Sequence, residues 1–300
     1  MPLGEFAAIG SALLWALNSV LVRPVSARLP ALRITALEYL CAAVCMLLTA
    51  GLLGRLPLVL QFPLLQMVGL VASALVGMGL GDTSYVRALS LIGVARSYPV
   101  SQAAFVLGTF GLAVVLLGER VGPNVAAGAG LLLGSVWLIA RSQDGGAPAV
   151  AAGGAAPVAV QLRNGVAIAL FAGVCWAGTT TLLKLSLADA DLLAANAVRI
   201  PVVALVLNTV GASRFGFDYR QLGRRTIAVV AVAGVVGLWL SSLLFLFAID
   251  TAGAAKTAVL SSTSPLFAAA LAVVFLGERL TPSLAVGTLL AVAGMMVVVI

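Results

Sequence analysis

Glu38, Asp82 and Arg199 stand inside long apolar runs of this 300-residue chain. Placing a charge in hydrocarbon costs about 2.5–3.5 kcal/mol on insertion scales, so such a residue marks a pathway or a pair. Asp82 is the sharpest of the three. It lies in Gly77-Met-Gly-Leu-Gly-Asp-Thr-Ser-Tyr85, where the glycines let another helix or a ligand approach the backbone. A carboxylate there could exchange protons or bind an amine. The plainer reading pairs it with Arg87, about one turn further on. Glu38 and Arg199 could pair with each other if their helices face. A proton or an anionic substrate would then break the pair; the plainer reading is a static ion pair, or two side chains that each reach the membrane interface. Arg199 alone could bind a substrate carboxylate, since its guanidinium is planar and always charged.

Trp15, Asn18, Tyr85, Gln102, Trp176, Thr179, Thr180 and Trp239 are candidate cavity lining, because aromatic rings with a few polar groups suit an organic substrate. Each also has an ordinary reading: Trp favours membrane interfaces, and Thr bonds its own helix backbone. Pro99 and Pro265 fall inside apolar runs and are expected to bend helices, as hinges or as tolerated kinks. Glu119 and Glu278 each sit in a Gly-Glu-Arg joint. They are expected to be structural, capping the helix that follows or pairing with Arg120 and Arg279. Histidine is absent, which removes imidazole metal sites, haem, Ser-His-Asp and Cys-His catalysis, and His relays. Cys41, Cys45 and Cys175 sit in apolar runs and read as packing residues, with neither a disulfide framework nor a zinc spacing. Neither metal nor cofactor is implied.

The elements that must hold these residues follow from composition. The chain is 62% hydrophobic and 9% charged, with a mean hydropathy of +1.17. A soluble chain is about a quarter charged, so this one cannot cover itself with a polar surface. A helix crosses a bilayer core in about 20 residues, and ten such spans nearly fill the chain. The expected helices are 5–23, 32–53, 64–89, 95–117, 123–140, 166–187, 192–211, 226–249, 254–276 and 282–300. The first apolar run has no basic stretch before it and reads as a span, not a signal peptide. Residues 142–164, rich in Gly, Ala and Pro, read as a flexible linker between a first unit, 1–141, and a second, 165–300. The net charge of +7 comes without a basic stripe interleaved with aromatics, so the positives read as loop anchors and nucleic acid is not an expected partner.

The two units repeat one another. Leu117-Gly-Glu-Arg-Val-Gly-Pro123 answers Leu276-Gly-Glu-Arg-Leu-Thr-Pro282, and Trp15 answers Trp176, all about 160 residues apart. Glu38 and Arg199 are equivalent under this shift, as are Asp82 and Ser242. Five helices per unit is an odd number, so the second unit enters the membrane upside down. Inverted repeats of this kind place a substrate site at their interface. Arg and Lys concentrate in alternate joints, beginning with Arg23, Arg28 and Arg33, which the positive-inside rule makes cytoplasmic. Both termini then face out. Gly130-Leu-Leu-Leu-Gly134 is a GxxxG face, and packing within the fold and a homodimer are both left open.

Taken in order, these features resemble the ten-helix EamA-like form of the drug/metabolite transporter superfamily over essentially the whole chain. The resemblance rests on the paired Gly-Glu-Arg motifs, Trp15 and Trp176, Arg199, and Gly81-Asp82-Thr83-Ser84-Tyr85. It implies an all-α polytopic protein in a bacterial inner membrane. Helices 1–4 and 6–9 are implied to surround a central cavity, with 5 and 10 at the periphery. Glu38 departs from the family, which usually carries an arginine in helix 2. The family is usually drawn with cytoplasmic termini, against the charge count.

The reading is therefore a secondary transporter of small organic metabolites: amino acids, nucleosides, sugars or drugs. It is read as an exporter working by alternating access across the lipid bilayer. No P-loop is present to support a primary pump. A membrane enzyme would need an acidic cluster at one face, and the sequence shows none. The alternative kept is a non-transporting membrane scaffold or assembly protein, which would tolerate Asp82→Asn.

Overall fold

The computed structural model describes residues 3–117, 122–141, 158–186, 191–216, 218–252, 257, 260–261 and 263–299. All regular structure among them is helical. In hydrocarbon no water is at hand for a bare N–H or C=O, so a helix, which satisfies both internally, is the form these apolar runs take. In chain order, α1 spans Leu3–Ser26 and α2 Ala31–Leu52. α3 covers Leu64–Ile92 and contains a π-helical stretch, Ala74–Gly81. α4 is Val94–Leu117, α5 Pro123–Arg141, α6 Val158–Ser186 and α7 Leu192–Phe215. α8 runs through Arg224–Gly234, a π stretch Val235–Leu240, and Ser241–Ala252. α9 is Ser264–Leu276 and α10 Pro282–Val299. Among the described residues, six segments, in α1, α2, α3, α6, α7 and α8, are long and apolar enough to cross a membrane.

Three expectations about elements change. α6 begins at Val158, inside the stretch read as linker. Its early Leu162 packs on the main core, and Gly165 seats against Ile92, so tertiary contact carries the helix through residues of weak local signal. Pro265 is not in mid-helix. It stands in the first turn of α9, where a missing N–H costs nothing, so it starts that helix instead of bending it. The expected start of that helix at 254 lies outside the described residues. Pro99 does lie inside α4 and is buried. Arg23, read as a joint anchor, lies within α1 and is buried.

The helices pack mostly across the two halves of the chain. α1 lies on α8 and α9; α6 lies on α3 and α4; α2 meets α7, and α5 meets α10. Exchanging the halves maps this set of partners onto itself. Lipid tails are as apolar as leucine, so such contacts depend on close van der Waals fit and small residues. Ala8, Ala12 and Ala16 form a fully buried stripe on α1. Within α2, Leu40, Val44, Leu47 and Leu48 face outward, as hydrocarbon requires. Among the described residues, a side chain at Gly130 or Gly134 would meet nothing within 4 Å; α5 instead packs on α10 through Gly128, Leu132, Ser135 and Ile139.

Candidate functional site

The polar side chains of the spanning helices converge on one region, built from α1, α2, α3, α6, α7 and α8. Asp82 is the first residue after the α3 π stretch. One carboxylate oxygen accepts from Trp176 Nε1 at 2.7 Å, and the other accepts from the Tyr39 hydroxyl. Asp82 also lies in electrostatic reach of Arg199. Trp176 belongs to α6 and Tyr39 to α2, so the carboxylate is held by both halves. Gly77 and Gly81 make this approach possible. A side chain at Gly77 would put its Cβ 2.5 Å from that of Thr179, and one at Gly81 would strike the Trp176 indole. Tyr85, one turn after Asp82, donates to Ser19 Oγ at 2.9 Å. Its ring lies between Tyr98 and Trp176, with centroids 6.0 and 5.3 Å away.

Glu38 and Arg199 are 3% and 7% exposed. They do not form an ion pair with each other. Glu38 Oε1 accepts from Asn18 Nδ2 at 2.7 Å, and the same nitrogen donates to the Ala233 carbonyl at 2.9 Å. Arg199 donates to Asn196 Oδ1 at 3.1 Å and to Thr179 Oγ1 at 3.2 Å; its Nε has no partner among the described residues. The Thr179 hydroxyl in turn donates to the Ser73 carbonyl at 2.5 Å. Equivalence in a repeat puts two residues at matching places in separate halves, which is not adjacency. Each charge has found a neutral partner on the adjacent helix of its own half.

The other candidates distribute as follows. Arg87 is exposed and does not touch Asp82. It lines a groove of about 460 Å³ with Ala31, Thr83, Ser84, Ala167, Ile168 and Phe171. Helical geometry explains the separation, because five residues turn the side chain to another face. Trp15 packs on Phe245 at 5.2 Å, and Trp239 donates to Thr49 Oγ1 at 3.0 Å. Thr180 is exposed and bonds its own helix at the Trp176 carbonyl. Gln102 bonds Tyr98, beside the Tyr85 ring. Glu119 lies outside the described residues.

Glu278 caps a helix, though not the one that follows it. Its two carboxylate oxygens accept from the N–H groups of Val94 and Ala95, at 3.0 and 2.9 Å, at the start of α4 in the other half. Gly93, at φ +77°, leaves the room: a Cβ there would meet this carboxylate at 2.6 Å. Arg23 Nε lies 3.9 Å away, in place of the expected Arg279. The local cap of α10 comes from Thr281, which accepts from the Leu284 N–H.

Sequence reasoning missed Tyr39, Asn196 and the Ser73 and Ala233 carbonyls. Asn196 had a signal, since it precedes Arg199 by three residues and so shares its helix face. Tyr39 had only its place beside Glu38. The two carbonyls had none.

The family model described as the EamA-like transporter family matches residues 2–141 and, a second time, 163–300. No curated protein matches the chain. A solved crystal structure of a protein 21% identical to this chain matches over 98% of this chain and 95% of its own, with a TM-score of 0.64; at that identity the likeness speaks for the fold.

Proposed function

Because the chain belongs to the EamA-like transporter family, we propose that it is a secondary transporter exporting small organic metabolites by alternating access. Its two halves act as inverted five-helix repeats in a bacterial inner membrane, with both termini outside. The substrate, an amino acid, nucleoside, sugar or drug-like molecule, binds between them. The observation that carries this reading is Asp82, a carboxylate within spanning helices and gripped from both halves by Tyr39 and Trp176. Asp82 carries the coupling proton or binds a substrate amine. Arg199, whose Nε–H has no partner among the described residues, binds a substrate anion, and Glu38 balances it across the same cluster. Trp176, Tyr85 and Thr179 line the path beside them. A group that both halves hold must change partners when the halves move, and this links its charge to the cycle. A homodimer through the open Gly130 and Gly134 face belongs to the same proposal and is read by crosslinking in membranes.

The test is transport in proteoliposomes with an imposed pH gradient and a trapped pH dye. Pools of amino acids, nucleosides, sugars and cationic drugs are added in turn. The expected result is a proton flux triggered by one pool and lost in Asp82→Asn. Solute counterflow without proton movement would remove the coupling role. No response to any pool, together with unchanged behaviour of Asp82→Asn in cells, would overturn the transport reading and favour a scaffold.

A further inference from the structure

The two π stretches lie at equivalent places in the halves, and each is entered beside a backbone carbonyl that a side chain from the other half engages. Ser73 directly precedes Ala74–Gly81, and its carbonyl accepts from Thr179 of α6. Ala233 stands just before Val235–Leu240, and its carbonyl accepts from Asn18 of α1. Gly77 and Gly237, one in each π stretch, are where these same two side chains seat. A carbonyl has two lone pairs, so it can take an outside donor in addition to its helical one. A donor that pulls a carbonyl out of the i→i−4 ladder favours a wider turn.

From this we infer that Asn18 and Thr179 are positioning residues that hold the opposing half's π turns open, each matched in its hydrogen-bonding chemistry to the intramembrane charge beside it. Asn18 has two N–H donors on one nitrogen, and both its contacts there are acceptors: the Glu38 carboxylate and the Ala233 carbonyl. Thr179 has one O–H and two lone pairs. It gives the proton to the Ser73 carbonyl and accepts from the Arg199 guanidinium. A hydroxyl, with one proton for two acceptors, could not serve in place of Asn18, and the Asn18 nitrogen, as it is turned here, has nothing with which to accept from a cation. The inference deepens the transport reading and rests on it for its consequence. Asp82 follows its π turn directly. A turn that tightens from π to α rotates every residue after it, which would swing the carboxylate off Trp176 and Tyr39. Anything that draws Arg199 or Glu38 away thus reaches the π turns through one hydrogen-bonded side chain.

The experiment is hydrogen–deuterium exchange of the full chain in nanodiscs, which needs no transported solute. Thr179→Val keeps the shape and removes the hydroxyl. It is expected to change exchange across residues 74–81 by about threefold or more while 235–240 keeps its original rate. Asn18→Leu is expected to do the reverse, and Thr179→Ser to leave both stretches unchanged. The inference is overturned if Val and Ser at 179 behave alike, or if either change moves both stretches together. A second arm tests the charge matching. Glu38→Arg alone faces the amide nitrogen of Asn18, and turning the amide to offer its oxygen would take the donor off the Ala233 carbonyl, so 235–240 should be disturbed. Adding Asn18→Thr supplies the acceptor and should restore it, and a double variant no better than the single one sinks that part. In proteoliposomes, Thr179→Val should lose proton coupling, and Thr179→Ser should recover it. If no solute is transported, the exchange arms still decide the inference while the transport reading fails separately.

Discussion

At one corner of the molecule Asn18 joins Glu38 to the Ala233 carbonyl; at the equivalent corner Thr179 joins Arg199 to the Ser73 carbonyl. The backbone frames agree down to a π stretch and a seating glycine in each. Their chemistry does not. After the π stretch of α3 comes Asp82, held by Tyr39 and Trp176. In the equivalent place on α8, Ser242 bonds back to Leu238 in its own helix at 2.5 Å. Trp15, the counterpart of Trp176, has no carboxylate to reach and packs on Phe245. On the transport reading proposed above, a duplicated frame is kept for movement while the carboxylate at this position stands on one copy.

The sharpest way to break this contrast is to neutralise both members. Asp82→Asn should lower gradient-driven flux by about 100-fold, a loss in the range found when a group needed for proton transfer is removed. Ser242→Ala should leave flux within about twofold. Purified proteoliposomes with a pH gradient measure both. Equal losses would mean that the α8 copy carries function too, and equal tolerance would return Asp82 to a packing role.

The charges at positions 38 and 199 give the next largest effect. Arg199→Gln should raise the half-saturating concentration of an anionic or zwitterionic solute by about tenfold, the effect of losing one charge-assisted contact worth about 1.4 kcal/mol or more. Glu38→Gln keeps a carbonyl oxygen for Asn18 to donate to and should alter the maximum rate more than that concentration. Radiolabelled uptake at several solute concentrations separates the two. A reversed pattern would move the anion site away from Arg199.

Trp176→Phe against Trp15→Phe makes a finer comparison. The first removes one of the two donors to Asp82, and the second only changes ring packing. A charge-assisted hydrogen bond is worth about 1.5–3 kcal/mol, so flux should fall by about tenfold or more in the first and little in the second.

What the sequence could show follows from how local each cause is. Spans were legible because hydropathy is a property of each run by itself, and the repeat because Gly-Glu-Arg and Trp recur at a fixed shift. Asp82, Glu38, Arg199, Trp176 and Asn18 stood out as polar groups in apolar surroundings. Their partners did not. Tyr39 hides in an apolar run, and the Ser73 and Ala233 carbonyls have no side-chain identity to read. The π stretches depend on donors arriving from the other half, some 100 to 215 positions away in the chain. In sequence Glu278 reads as a local cap or a partner of Arg279, because its neighbours permit both. Glu278 meets Gly93 and the N–H groups of α4 only through packing of the second half on the first, which its own sequence neighbours do not show.

Glu278 also gives the smallest effect and a control for the rest. Two N–H groups at the α4 start depend on it, and it is buried beside Arg23. Glu278→Ala leaves both donors bare at a helix N-terminus, a loss of about 1–2 kcal/mol. Glu278→Gln keeps one acceptor oxygen and should lose about half as much. The readout is the thermal midpoint in detergent, with flux measured on the surviving folded protein. A fall in midpoint with flux per folded molecule preserved is expected, because this cap joins the halves through the α4 N–H groups and shares no hydrogen bond with Asp82. Unaltered midpoint with lost flux would instead place Glu278 among the groups that change partners during the cycle, and the contrast drawn at the two corners would then extend to the joints.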